Sequence, residues 1–431
     1  MVSASNKVSQ IDRTGEIRGT ITATPNPVPF GDECVVISWD INDQAGGEVR
    51  VSTSPGHEKL VSRGRSGSTK ISWIAHSKVY EFRLYARSLP DLPIASVKVR
   101  RDTDSAKAVL RELAAEVMWG NVDAALSSFI AAIVPRFVHT GKFRKVFPIW
   151  ERHGFHVTPV HFYQPIPDTQ TLPQTLWNQP SKLVGIDMND SLQLNLLRND
   201  FPKFRHEYER FPTEPTSGAS RFHLNNGFFD GTDALVAYCM VRRFRPRLII
   251  EVGSGYSSLL MGEAGARNDA CPLICVEPFP SDFLSKGFPG LKSLVIKEVQ
   301  EIDLDFFSQL QSGDVLFIDS SHTVKIGGDV NYLFLEVLPR LKPGVIVHVH
   351  DIFLPFDYPR DWVVDDFRFW AEQYLLQAFL TFNSEFQVLM ANNYLNHYYQ
   401  EDLKAAFPSL PSWGGGSFWM RRRVSKQTES K

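Results

Sequence analysis

From Pro246 onward the chain alternates two kinds of text, and this alternation constrains the fold more than any other feature of the sequence. Short apolar runs, "RLIIEV", "PLICVEP", "SLVIKEV", "DVLFID" and "GVIVHVHD", are separated by segments such as "SSLLMGEAGA" and "DVNYLFLEVLPRL". Apolar runs without internal polar alternation belong to strands buried on both faces, and the segments between them supply the crossovers that parallel strands need. The expected result is a doubly wound α/β sheet. Ligands of such sheets sit beyond the carboxyl ends of the strands, and the candidate groups of this chain fall there.

The first of those ends reads "IIEVGSGYSSLL", residues 249–260. Gly253 and Gly255 permit a close backbone approach that side chains forbid, and the helix that follows presents free N–H groups. Glu251 stands two residues before the first glycine. Glu277 ends the next strand in "LICVEPFP", 22 positions after Gly255 (277 − 255), near the spacing at which an acid meets ribose hydroxyls. A dinucleotide turn needs a third small apolar residue where this chain has Ser258. A carboxylate at 251 would also repel a pyrophosphate, whereas it attracts an ammonium. These residues favour S-adenosylmethionine over a dinucleotide, and the joint placement of Glu251 and Glu277 weighs against a glycine turn that binds nothing.

Taken in order, "EVGSGYSS", "CVEP", "LFIDSSH" and "GVIVHVHDIFLP" resemble the class I S-adenosylmethionine-dependent methyltransferases, closest to bacterial small-molecule O-methyltransferases with a Gly-Ser-Gly-x-Ser turn. The resemblance covers residues 221–422. It implies a Rossmann-like seven-stranded sheet that closes with an antiparallel hairpin, for which "FQVLMA" and "SFWMRRR" are the strands. It also implies that Glu251, Gly253, Ser254 and Gly255 contact the methionine part of the cofactor and that Tyr256 and Ser257 line it. Glu277 would hold the ribose, Gln300 the adenine, and Asp319 would border the cofactor.

Asp319 and His322 follow one strand, and His350 and Asp351 end the next, so adjacent parallel strands should bring these four groups together. Methyl transfer to oxygen requires a nucleophile relieved of its proton and aligned with the methyl group. One route is a hard divalent cation such as Mg²⁺ held by Asp319 and Asp351, with His350 or His322 nearby. Metal-dependent catechol and macrolide O-methyltransferases are similar in having acids at these strand ends, but Ile352 stands where the catechol pattern has an Asn ligand. The other route uses His350 or His322 as general base, with Asp351 beside them. His348 shares a strand face with His350 and is expected to be structural, while the alternative for Asp319, next to Ser320 and Ser321, is a helix cap. The loop "HLNNGFFDGTD", residues 223–233, is expected to close over the cofactor through Asn225, Asn226 and Phe229, unless Phe229 belongs to the core. Residues 353–366, "FLPFDYPRDWVVDD", should wall an acceptor pocket suited to a ring or a sugar.

The rest of the chain reads differently. At 431 residues more than one domain is expected. Residues 1–103 carry short alternating runs between Pro, Gly and Asn, the pattern of an antiparallel β-sandwich. Val35, Ile37 and Trp39 share one face, as do Tyr80, Phe82 and Leu84. This stretch resembles a fibronectin type III or immunoglobulin-like module, which implies a spacer, an oligomerisation element or a binding platform. Residues 104–220 form a helical and irregular connecting region, with a helical hairpin over 105–148, followed by the 221–422 domain and a 423–431 tail. With 46 basic and 48 acidic residues the charge is −2, which attracts neither nucleic acid nor an anionic membrane, and no base-flipping motif is present. The first residues lack a secretory pattern. The four cysteines lack metal-site spacing, as expected of a reduced, cytoplasmic protein. The expectation is therefore a methyltransferase for a small-molecule or glycan hydroxyl, homo-oligomeric or not. The rival is a glycan- or protein-binding module carried on a cofactor-binding scaffold.

Overall fold

The computed structural model describes residues 17–28, 34–54, 57–74, 79–100, 127, 143–215, 221–269 and 271–424. They fall into two compact units, Met1–Pro159 and Val160–Lys431. Most of the helical hairpin expected over 105–148 lies outside the described residues; its end belongs to a helix, Phe143–Arg152.

In the first unit, β1 (Gly19–Thr24), β2 (Val35–Ile41) and β5 (Ser66–Ile71) make one sheet. A second has the order β4 (His57–Gly64), β3 (Gly47–Ser54), β6 (Tyr80–Ala86) and β7 (Leu89–Val99). All pairings are antiparallel. Period-two alternation sends Val35, Ile37 and Trp39 from one sheet, and Tyr80, Phe82 and Leu84 from the other, into a single shared core, as two sheets packed face to face require. Phe82 is fully buried there. Phe82→Ala is expected to cost about 3–5 kcal/mol through lost burial and the cavity left behind, read as a fall in the urea midpoint of the first unit.

The second unit is built on seven strands in the order β10 (Leu291–Val295), β9 (Leu273–Val276), β8 (Ile249–Val252), β11 (Val315–Ile318), β12 (Ile346–Val349), β14 (Phe418–Arg422) and β13 (Phe386–Ala391). β8 to β12 pair in parallel, while β14 runs antiparallel to both β12 and β13. The final hairpin is the one read from the sequence. Every residue of β8, β9, β11 and β12 is buried, which explains why these strands are apolar apart from Glu251 and His348. Ile249, Leu273, Val315 and Ile346 face a core completed by the helices Gly231–Phe244 and Tyr256–Ala266. Ile250, Ile274, Leu316 and Val347 face the opposite core.

Residues ahead of 221 contribute to both layers. Leu196, Leu197, Phe201, Tyr208 and Phe211 join the first core, and Leu183 and Met188 the second. The stretch from Asp190 to Tyr208 is continuously helical, but it changes pitch: α to Asn195, π to Asp200, 3₁₀ to Phe204, then α again. Pro202 is the second residue of the 3₁₀ segment Phe201–Phe204, and with no N–H to donate it falls where the ladder changes from π to 3₁₀ pitch. The buried Glu207 ties this stretch to the next helix by accepting from Arg242 Nε at 2.7 Å and Tyr238 OH at 2.6 Å. Among the described residues no helix is long and apolar enough to cross a membrane.

Candidate functional site

β8 delivers Glu251 fully buried. Its Oε2 accepts from Cys275 Sγ at 3.4 Å, and its Oε1 has no partner. Burial pushes the carboxyl up to about 7, with Ser257 and Ser258 pulling the other way. Beyond it Gly253 takes φ +76°, and a Cβ there would lie 1.7 Å from the Asp319 carbonyl oxygen. The chain needs glycine at that point because β8 and β11 leave no room for a side chain. Gly255 is different: its backbone is extended, and a Cβ would meet nothing within 4 Å. The space in front of the Tyr256–Ala266 helix is therefore open.

At the tip of β9, Glu277 accepts from Ser254 N at 3.2 Å and from Phe279 N at 2.8 Å. The Ser254 hydroxyl, buried, has no partner. An unpaired buried carboxylate oxygen, an unpaired hydroxyl and open space before Gly255 fit a ligand carrying an ammonium at one end and hydroxyls at the other. Ser257 is buried, whereas Tyr256 stacks against the exposed Phe228 with ring centroids 5.8 Å apart. Gln300 donates to Glu298, and its Oε1 is buried and unpartnered.

The ends of β11 and β12 carry the second cluster. His322 Nε2 lies 3.3 Å from Asp319 Oδ1 and 3.4 Å from Asp351 Oδ2, and His350 Nδ1 lies 3.3 Å from Asp319 Oδ1 and 3.7 Å from Asp351 Oδ1. The four groups expected to converge do so because β11 and β12 are hydrogen-bonded neighbours in register. Burial disfavours both charged imidazoles, but the carboxylates outweigh it: His350 is held well above its ordinary value and His322 is raised to about 10. Asp319 is likewise penalised by burial, yet the two imidazoles hold it well below the usual carboxylate range. Asp351 is pushed up, by burial first. His322 and Asp351 both sit in the left-handed region, at φ 56° and 55°, a conformation uncommon outside glycine that Asp and His enter more readily than most.

Asp319, His350 and Asp351 can each offer one donor atom within 4.8 Å of the others. One imidazole and two carboxylates make a donor set that fits a divalent cation. No helix begins at Asp319; the next one is Asp329–Tyr332, and Ser321 donates to Asp329. His348 is fully buried, bonded through Nε2 to Ser417 Oγ at 2.9 Å and stacked on Phe317 at 3.8 Å.

Two acids that the sequence reading passed over complete the cluster. Asp233, in the first turn of the Gly231–Phe244 helix, approaches His350 Nε2 at 3.3 Å and accepts from Asn392 Nδ2, Gly416 N and Ser417 N at 2.8–2.9 Å. Glu372, first residue of the helix Glu372–Leu380, meets His322 Nδ1 at 2.9 Å. Acids in a first helical turn ordinarily read as partners of the helix dipole, so neither stood out. In the 223–233 loop Asn226 is spent on the loop itself, bonding the backbone of His223, Phe228 and Phe229. Asn225 donates to Glu214. Phe229 is core, packed 5.0 Å from the His350 ring, and the exposed aromatic is Phe228. Beside the cluster, the Trp370 ring lies 4.5 Å from His322 and 5.4 Å from Trp362, on the segment expected to wall the acceptor.

The sheet thus carries the glycine turn and the acid–imidazole cluster together at its carboxyl edge. The family model described as a methyltransferase domain matches residues 250–352, which span β8 to the residue after Asp351. An uncharacterized protein of Archaeoglobus fulgidus is 31% identical over 163 residues, 36% of this chain and 73% of its own length. The chain belongs to one family with that protein. The solved O-methyltransferase from Bacillus cereus in complex with SAH aligns at 11% identity over 53% of this chain and 90% of that one, with a TM-score of 0.27, too low for anything to be drawn from it.

Proposed function

We propose that the protein is an S-adenosylmethionine-dependent O-methyltransferase acting on a hydroxyl of a small molecule or glycan. The observation that carries this reading is the pairing, at neighbouring strand ends, of the buried Glu251 carboxylate, whose Oε1 has no partner, with the open space before Gly255 and with Glu277. Glu251 takes the ammonium of the methionine part, Ser254 and the Tyr256–Ser257 turn line it, Glu277 accepts from the ribose hydroxyls, and Gln300 reaches the adenine. The cofactor, when bound, supplies an activated methyl group.

The acceptor side belongs to the second cluster. His322 is the general base, because its ring lies against Trp370, which in turn packs on Trp362 of the acceptor wall. With Asp319, one of the carboxylates that hold His322 protonated, taken up by a cation, Nε2 is free to take the hydroxyl proton as the oxygen bonds the methyl carbon and the carbon–sulfur bond breaks, leaving S-adenosylhomocysteine. Asp319, His350 Nδ1 and Asp351 would hold a divalent cation such as Mg²⁺, which supplies positive charge that lowers a hydroxyl's pKa. Residues 1–103 act as a fibronectin- or immunoglobulin-like spacer or oligomerisation element, and the protein works in the cytoplasm.

Calorimetry with S-adenosylhomocysteine tests the cofactor, and transfer of label from S-adenosylmethionine into a cell extract, with and without a chelator, tests reaction and ion together. Binding with label transfer is expected. Chelation is expected to lower transfer at least tenfold and leave S-adenosylhomocysteine affinity unchanged; equal rates with and without chelator would remove the cation. A protein that binds no S-adenosylhomocysteine would sink the reading.

A further inference from the structure

We infer that Glu372 is a positioning residue for the reaction: it fixes the ring of His322 so that Nε2, and not Nδ1, faces the Asp319–Asp351 pair and the acceptor. The inference rests on the methyltransferase reading but concerns a residue outside the matched segment, which ends at 352.

Glu372 lies 50 residues beyond His322 and starts the helix Glu372–Leu380. Its carboxylate is fully buried. Among the described residues its side chain has one hydrogen-bond partner, His322 Nδ1 at 2.9 Å, and its Oε1 has none. A buried carboxylate with one oxygen unpaired is a poor way to stabilise a fold, since desolvation is charged in full and only half compensated. An apolar residue would serve packing better. The carboxylate is therefore explained by what it does to the imidazole.

The same residue also grips His322 through the backbone. Ala371 N and Glu372 N both donate to the His322 carbonyl oxygen, at 3.0 and 3.1 Å. This holds the left-handed φ of 56° that turns the side chain back over the end of β11. One helix start thus sets both the main chain and the ring of His322, and Trp370 closes the side of the ring at 4.5 Å. With Nδ1 held by Glu372 at 2.9 Å, Nε2 is the nitrogen turned toward Asp319 and Asp351, at 3.3 and 3.4 Å. Asp233 stands in the same relation to His350 but also carries two backbone amides and Asn392, so Glu372 offers the cleaner test.

The experiment uses the full chain with ring-¹⁵N histidine, the His322 signals being assigned by their loss in His322→Gln. In the wild type the Nδ1 of His322 is expected to carry a hydrogen-bonded proton, and in Glu372→Gln that signature is expected to shift. Label transfer from S-adenosylmethionine to the extract should fall about 100-fold in Glu372→Gln, the scale of a general-base contribution. S-adenosylhomocysteine affinity should stay within about twofold and the melting curve cooperative, on the expectation that a distant orienting group leaves uniform binding intact. In a His322→Gln background the second substitution should cost nothing further, because it acts only through the lost ring. Unchanged His322 ring signals, wild-type transfer by Glu372→Gln, or an equal cost in both backgrounds would overturn the assignment. Failure of the wild type itself to bind S-adenosylhomocysteine would remove the methyltransferase reading and this inference with it.

Discussion

Gly253→Ala is expected to abolish S-adenosylhomocysteine binding and to destabilise the second unit by at least about 4 kcal/mol, a size reached only by severe core or backbone disruption. The added Cβ would lie 1.7 Å from Asp319 O and 2.6 Å from its carbonyl carbon, atoms of a main chain that cannot rotate away. Asp319 N is bonded to Val252 O at 2.9 Å, and Gly253 N to Val276 O at 3.0 Å, so relief would require parting β8 from β11 while β9 holds on the other side. The φ of +76° adds strain for any residue with a Cβ. Gly255→Ala is the control. With an extended backbone and open space around the new methyl, it should melt within about 1 kcal/mol of wild type, yet lose cofactor affinity, because the methyl would stand where the ligand approaches. If the two alanine variants melt alike, the close contact between the ends of β8 and β11 is not what Gly253 serves.

The parts of the molecule legible in the sequence are those where one residue answers one local demand. "IIEV", "LICV", "VLFI" and "IVHV" read as buried parallel strands because each is covered on both faces, and the closing hairpin followed from "FQVLMA" and "SFWMRRR". The convergence of Asp319, His322, His350 and Asp351 was legible too, since strand ends in a parallel sheet share an edge. Asp233 and Glu372 were not. They reach the cluster from helix starts 117 positions before His350 and 50 after His322, separations for which periodicity has no vocabulary. The loop before Asp233 misled for a related reason: "NNGFF" contains two aromatic residues in succession, and only the fold decides that Phe229 turns inward while Phe228 stays out. Nor did composition reveal that the helix from Asp190 would loosen to π pitch before Pro202, a local adjustment that lets Leu196, Leu197 and Phe201 all reach the core.

Glu251→Gln is expected to move stability and binding in opposite directions. Burial holds the Glu251 carboxyl at about 7, against 4.5 for an unperturbed group. Its folded-state value is raised, so the folded protein holds the proton more tightly than the unfolded chain. Below pH 4.5 both states are protonated and the residue costs nothing; between 4.5 and 7 stability is lost as pH rises; above 7 the full penalty applies. That penalty is up to about 3 kcal/mol by the usual conversion of pKa difference to free energy. Glutamine does not titrate, so Glu251→Gln should melt higher than wild type at pH 8 and no differently at pH 4. The same change removes the charge that an ammonium would meet, and S-adenosylhomocysteine affinity should fall about 10- to 100-fold, the worth of one charge-assisted hydrogen bond. For the wild type, affinity should accordingly rise from pH 6 to pH 8 as the carboxyl ionises, and this rise should vanish in the glutamine variant. A residue kept for packing alone would lose stability when changed and leave binding untouched. A buried acid that weakens the fold at neutral pH and strengthens a complex is the reverse case, and melting curves at two pH values with one titration series separate the two.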